Sequence, residues 1–234
     1  MPTLTLTPIK MEVLYEDNHI IVVNKQAGEI VQGDKTGDTP LSDMVKQYIK
    51  EAYAKPGAVF LGVVHRLDRP VSGIVVFART SKALARLNQM FRTNQVRKTY
   101  WAIVPSSPLC QPTHLEHYLL RNEKQNKSYA YDNEKPNTKK ASLDFRPIAS
   151  NDHYTLIEVD LHTGRHHQIR CQLAHIGLPI RGDLKYGAKR SNPDGSISLC
   201  AHAIDFIHPV TKAPIHIEAL LPADPIWSTF SIQS

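Results

Sequence analysis

His65-Arg66-Leu67-Asp68-Arg69-Pro70-Val71-Ser72-Gly73 sets one carboxylate, Asp68, between two arginines just before a turn, and the apolar run Ile74-Val75-Val76-Phe77-Ala78 follows at once. The acid therefore sits beside a buried strand. Nearby positive charge favours the charged form of an acid, which makes Asp68 a candidate nucleophile or base rather than a proton donor. Taken alone, such a run is more often a surface ion pair. The rest of the chain decides.

Working outward, Glu12 to Lys25 reads as strand, acidic turn and strand, closed by Ala27-Gly28. Pro40 opens a short helix with Leu41, Met44, Val45, Tyr48 and Ile49 on one face. Phe60 to Val64 leads as a strand into the Asp68 turn, and Ile74 to Ala78 leads out. Thr80 or Ser81 caps a helix striped by Leu84, Leu87 and Phe91. Lys98 to Pro105 is a strand with Tyr100, Ala102 and Val104 facing one way and Thr99, Trp101 and Ile103 the other. Arg121 to Lys140 is polar enough for a loop or exposed hairpin. Tyr154 to Leu161 is a strand with Thr155, Ile157, Val159 and Leu161 on its apolar face. A helix with a stripe of Ile169, Gln172, Leu173 and Ile176 comes next, stopped by Gly177. Strands recur at Ala203 to Ile207 and Ile215 to Leu221. They outnumber the helices without alternating with them, which favours a mixed α+β sheet over a doubly wound one.

Composition narrows the class. The 234 residues are 41% hydrophobic and 21% charged, the balance of a soluble globular protein. The longest apolar runs are strand-length and too short to span a bilayer. Met1 to Lys10 shows no secretory signal, and Cys110, Cys171 and Cys200 are spaced as reduced thiols, so a cytoplasmic enzyme is expected. The net charge of +6 is unevenly spread. Residues 65–98 hold eight basic side chains against Asp68 alone, and residues 162–190 hold six against Asp183 alone. The remainder is acidic on balance. A polyanion would explain two basic segments in such a chain, although solvated basic helices explain them equally well.

Two further features carry chemistry. Lys98-Thr99-Tyr100 places a tyrosine on the face opposite Trp101; a core tyrosine with a satisfied hydroxyl is the plainer reading. Thr163-Gly164-Arg165-His166-His167-Gln168-Ile169-Arg170 packs donors onto the first turns of a helix, where the dipole favours anions. Arg170 falls at the edge of the buried stripe, from which it can reach a buried carboxylate. His166, His167 and His175 share no helical face with a carboxylate, so no metal site is expected of them. His114, His117, His202, His208 and His216 are scattered and look structural. No phosphate-binding glycine loop is present, which argues against a nucleotide cofactor.

With these residues in place the chain resembles the RluA-type RNA pseudouridine synthases. Val13-Leu14-Tyr15-Glu16-Asp17 through Val23-Asn24-Lys25 resembles the opening hairpin of that family, and His65-Arg66-Leu67-Asp68 with Ser72-Gly73 its catalytic segment. Lys98-Thr99-Tyr100 follows, then Thr163-Gly164-Arg165 through Gln168-Ile169-Arg170, Gly182-Asp183 and Tyr186-Gly187. The likeness covers about residues 11–223, which are expected to form a single catalytic domain without a separate N-terminal RNA-binding module. It implies a mixed, mainly antiparallel sheet with flanking helices and a central basic cleft. It implies Asp68 as the catalytic residue, Tyr100 against the target base and as a mover of its C5 proton, and Arg170 paired with Asp68. Arg66 is implied to displace the flipped base, with Arg69, Lys98, Arg165, His167 and Ile169 completing a substrate-binding set. The implied partner is a structured RNA, tRNA or rRNA, and no cofactor or metal is needed for an isomerisation that gains no atoms.

Gln26 stands where the family usually has proline, and Gln172 near a common histidine position; neither touches the proposed chemistry. RNA selection then falls to the catalytic domain or a partner, which points toward a compact site such as a tRNA stem-loop. A non-catalytic RNA-binding protein on the same fold is the competing class, but binding alone has no use for an ionised carboxylate in an anion-attracting cleft. A nucleoside hydrolase would usually want a second acid and a placed water.

Overall fold

Apolar residues at both parities of 20–23 and 74–78 leave no polar face, so these segments must be covered on two sides. In the computed structural model, which describes residues 11–34 and 36–231, they become β2 (Ile20–Lys25) and β4 (Ser72–Ala78), paired antiparallel and buried throughout. The reading of Met1 to Lys10 as lacking a secretory signal lies outside the described residues.

The other elements are β1 (Glu12–Glu16), α1 (Leu41–Ala52), β3 (Gly62–Val63), α2 (Ser81–Arg92), β5 (Arg97–Pro105), β6 (Thr113–Asn122) and β7 (Lys127–Tyr131). They are followed by β8 (Lys139–Ser150), β9 (Tyr154–Leu161), α3 (Gln168–His175), β10 (Leu199–Ile207) and β11 (Pro214–Glu218). All eleven strands join one sheet in the order β1-β2-β4-β10-β5-β9-β8-β6-β7, with β11 added to β10 and β3 to β4. Each pairing is antiparallel except that of β4 with β10. The architecture is the mixed, mainly antiparallel α+β sheet expected from strands that outnumber helices.

The parallel contact is the seam between the two halves of the sheet. Ser72 lies beside Cys200 and Gly73 beside Ala201. Gly73 has φ +111°, and a Cβ there would stand 2.3 Å from the Ala201 carbonyl oxygen. Only glycine lets the strand leaving the Asp68 turn close onto the second half.

Side-chain alternation sends the two faces of the sheet into different cores. One face gathers Ile21, Val23, Val75 and Phe77 under Leu41, Val45 and Ile49 of α1, and continues through Ala102 and Val104 to Ile169 and Leu173 of α3. The other gathers Ile20, Val22, Ile74 and Val76 under Ala83 and Leu87 of α2, and continues to Trp101 and Ile103. The division of β5 into two faces is as its alternation predicts. Thr80 caps α2 by accepting from the Ala83 N–H at 3.2 Å, and the polar stretch after Arg121 forms the β6–β7 hairpin.

Two expectations are corrected. The strand over 60–64 shrinks to Gly62–Val63, with Phe60 exposed. The reason is competition for one edge of β4: β3 pairs with its end at Phe77 and Ala78, while β10 takes Ser72 and Gly73. Between them the Val76 N–H donates to His65 Nε2 at 3.0 Å, so an imidazole substitutes for the missing strand. Burial, aided by the Lys98 charge, pushes His65 down to about 4, keeping the acceptor nitrogen unprotonated.

Second, the donors Thr163 to His167 do not lie on the first turns of a helix. They form a loop, and α3 begins only at Gln168. His167 takes a left-handed conformation (φ 51°), and the Gln168 amide ties the loop down. Its Oε1 accepts from Thr163 Oγ1 at 2.7 Å and from the Arg165 N–H at 3.0 Å, while its Nε2 donates to the Ser142 carbonyl at 3.1 Å.

Candidate active site

The Asp68 turn, β5, β10 and the start of α3 meet at the seam around a small cavity of about 120 Å³, lined among others by Asp68, Tyr100, His167, Ile169, Arg170 and Leu199. At about 30 Å³ per water in the liquid, that is room for one ring rather than a stack. It opens into a wider cleft of about 1020 Å³, whose rim carries Arg66, Arg69, Arg121, Arg165, His166 and Lys185.

Asp68 Oδ2 accepts from Arg170 Nη1 at 3.0 Å and lies 3.4 Å from His167 Nε2. Its side chain is 30% exposed, enough for a substrate to reach. The Arg170 guanidinium is itself held from behind. Its Nε and Nη2 donate to the two oxygens of Asp183 at 2.7 and 2.9 Å, and Asp183 is 1% exposed. A bidentate fork on a fully buried acid fixes the plane of the guanidinium, which directs Nη1 toward Asp68. Tyr186 adds its ring face 5.1 Å from the guanidinium carbon.

The proton on His167 follows from its neighbours. Tyr186 Oη accepts from the Ser128 N–H at 2.8 Å and lies 2.9 Å from His167 Nδ1; with the Asp68 carboxylate 3.4 Å from Nε2, the tautomer that suits both sides has the phenol donating to Nδ1. The imidazole proton then sits on Nε2, facing Asp68. Burial, and after it the Arg170 charge, hold His167 well below the usual imidazole range, so the ring is a neutral donor.

Tyr100 forms the wall beside Asp68. Burial, then the charges of Asp68 and Cys200, push its phenol upward, so the hydroxyl stays protonated at neutral pH.

Three groups in this assembly, Asp183, Gln168 and Lys25, stand in the motifs quoted from the sequence but were given no role there. Lys25, fully buried, extends from the end of β2 beneath the turn. Its Nζ donates to the carbonyls of Gln26, Asp68, Arg69 and Val71, the last at 2.6 Å. The Asp68, Arg69 and Gln26 carbonyls also accept backbone N–H bonds, so the Val71 carbonyl is the one that depends on the ammonium, while the other contacts draw the turn around a single charge. Burial lowers Lys25 from 10.5 to about 8. The unfolded chain therefore holds more protons on this group between those values, and its contribution to stability rises as pH climbs through that window. Lys25→Met should cost ~1–3 kcal/mol in urea denaturation and remove that rise, because the buried Val71 carbonyl loses its donor. A variant as stable as the parent would show that the turn holds itself.

The remaining candidates separate by position. Arg66 stands exposed on the rim of both cavities. Arg165 is on the rim with its Nε donating to the Lys140 carbonyl at 3.1 Å. Arg69 is at the rim too, but its fork is already committed to Asp38 at 2.6 Å and Thr36 at 2.8 Å. Lys98 is not brought to the cleft. It is half-buried beside Asp160 and His65, which corrects its place among the substrate-binding side chains.

Comparison with known proteins agrees with this geometry. The RNA pseudouridylate synthase family pattern matches residues 19–175, which include Asp68, Tyr100 and Arg170. The ribosomal large subunit pseudouridine synthase D of Xylella fastidiosa is 31% identical over 229 residues, covering 92% of this chain and 67% of that protein. The ribosomal large subunit pseudouridine synthase C of Vibrio vulnificus is 34% identical over 213 residues, covering 88% and 64%. The solved structure of human RNA pseudouridylate synthase domain containing 4 shares the fold, with TM-score 0.80 and 22% identity over 95% of each chain. A cavity sized for one base, an acid clamped by a buried arginine and a pattern match across most of the chain have one common explanation: the protein belongs to the RNA pseudouridylate synthases, the isomerases that convert uridine in RNA to pseudouridine.

Proposed function

We propose that this enzyme isomerises uridine in large-subunit ribosomal RNA, with Asp68 as the catalytic carboxylate. The carrying observation is Asp68 at the mouth of a one-ring cavity, held by an arginine that is itself anchored through Nε and Nη2 on Asp183. The choice of ribosomal RNA over tRNA is supported by the names of the D- and C-type relatives. The reaction breaks the C1′–N1 bond, turns the uracil, joins C1′ to C5, and moves the C5 proton off as N1 gains one. No atom enters or leaves overall. Asp68 either attacks C1′ or removes a sugar proton, and in both cases it works as a carboxylate, oriented by Arg170 Nη1 at 3.0 Å with His167 Nε2 3.4 Å away.

The base must leave its stack, at a cost of ~2–4 kcal/mol, before it can enter the cavity. Arg66 on the rim is placed to fill the vacated position. Arg165, Arg121 and Lys185 supply positive charge to the phosphates along the cleft. Tyr100 packs on the uracil face and relays the C5 proton. Tyr100→Phe keeps the ring and should retain RNA binding while slowing turnover by ~10²-fold or more, the usual worth of a positioned proton carrier. An unchanged rate would leave the ring a stacking role alone.

Residues 11–223 act as one catalytic unit in this reading, since a single sheet runs through both halves. No helix among the described residues is long and apolar enough to cross a membrane. A cytoplasmic location belongs to the same proposal, supported by the ribosomal RNA named for the D- and C-type relatives. The direct test is to map pseudouridine across cellular RNA with and without the gene. A large-subunit uridine modified only when the gene is present supports the proposal. A gene-dependent site confined to tRNA would replace the substrate assignment.

A further inference from the structure

The β6–β7 hairpin packs on α3 and there brings together three side chains that the isomerisation does not use. They are His117 of β6, Asp132 just beyond β7 and His175 in the last turn of α3. One ligand atom from each lies within 4.8 Å of the other two. His117 is buried, and its Nδ1 is engaged by Gln172 Nε2 at 3.0 Å, so its Nε2 is the atom turned toward the pair. That Nε2 is 3.7 Å from Asp132 Oδ1, too far for a hydrogen bond. Two metal–ligand bonds of ~2.1 Å meeting at a tetrahedral angle span ~3.4 Å, close to this gap. His175 Nε2 is hydrogen-bonded to the same oxygen at 2.8 Å, so these two exposed side chains must part by about 0.6 Å to share an ion, and the two imidazoles stand edge to face with centroids 4.9 Å apart.

Behind the cluster, Gln172 is fully buried and its Oε1 has no hydrogen-bond partner. An imidazole that binds a metal through Nε2 must carry its proton on Nδ1 and give it to an acceptor. Turning the Gln172 amide over would offer Oε1 to that proton, at the expense of the 3.3 Å contact between Nε2 and the Ala141 carbonyl. An oriented, buried imidazole with an orphaned amide oxygen behind it is a second indication, independent of the proximity of the three ligands.

We propose that His117, Asp132 and His175 bind one divalent transition-metal ion, with zinc the best match to two imidazoles, one carboxylate and a water in tetrahedral array. The ion would fasten the end of α3, the helix that presents Arg170, to the hairpin. The carboxylate comes from a segment 43 residues before His175, so inspection along the helix alone could not find it. A second trio, His114, Asp144 and His162, is of a different kind. Its acid holds both rings in hydrogen bonds of 2.6 and 2.7 Å, where Asp132 holds only His175, and neither of its rings is buried, so it serves as the control.

The test is titration of the chelator-treated full chain with cobalt(II) and then zinc(II). Expected are the intense visible band of tetrahedral cobalt, its displacement by one equivalent of zinc, and zinc affinity tighter than about 10 µM by calorimetry. His175→Ala and Asp132→Asn, both at exposed positions, should weaken zinc at least about tenfold and abolish its effect on the melting temperature. Asp144→Asn should behave as the parent. Absence of a one-to-one zinc site of that affinity, equal binding by His175→Ala, or loss of binding only on Asp144→Asn would each overturn the assignment.

Discussion

Asp68→Asn is expected to abolish pseudouridine formation, with turnover falling by ~10⁴-fold or more, as removal of an essential nucleophile or base does elsewhere. The substitution is nearly isosteric, so RNA binding and the fold should survive. Arg170 keeps both bonds to Asp183, and the amide oxygen of the substituted side chain can still accept from Nη1. What disappears is the charge that either attacks C1′ or removes a sugar proton, and an amide does neither. Release of tritium from RNA labelled at uracil C5, read in a single turnover, reports the chemistry without product dissociation. A parallel binding measurement on the same RNA separates loss of reaction from loss of complex. Equal turnover by the variant would remove Asp68 from the mechanism.

Arg170→Ala carries the second-largest effect, and it strikes stability and activity together. The guanidinium and Asp183 are a buried pair, and removing one partner leaves the other charge with no compensation, at a cost of ~3–5 kcal/mol. Asp68 also loses the donor that orients it, so turnover of the folded fraction should fall ~10²-fold or more. Arg170 acts through Asp68, and its role is therefore one of positioning. Replacing both partners, Arg170→Met with Asp183→Leu, should recover part of the lost stability because no unpaired charge remains, yet leave turnover low. Urea denaturation and single-turnover rates on the three proteins separate the two roles. Recovery of activity in the double variant would show that Arg170 only supports the fold.

The sheet was legible in the chain because its signals are local. Val22 and Val23 must face opposite cores by strand alternation, and Tyr100 and Trp101 were separated by the same rule. The Asp68 turn could be recognised because its charges are adjacent in sequence. Failures came where one element competes with another for a partner. Nothing in 60–64 reveals that β10 will occupy half of the β4 edge and leave His65 to accept the Val76 N–H. Nor could the first turn of α3 be placed, because what ends the preceding loop is the Gln168 amide reaching back to Ser142, 26 residues away.

The catalytic centre divides the same way. The family and the proposed roles of Asp68, Tyr100 and Arg170 could be read from residue type and order, which survive without coordinates. Tertiary structure alone decided what holds them. Lys25 reads as an ordinary charged strand end until the turn folds over it, and Asp183 becomes the anchor of Arg170 only when it is buried 13 residues further on. The physical reason is desolvation. A charge costs nothing while it is wet, and its partner becomes obligatory only once the fold has excluded water, which no stretch of sequence records.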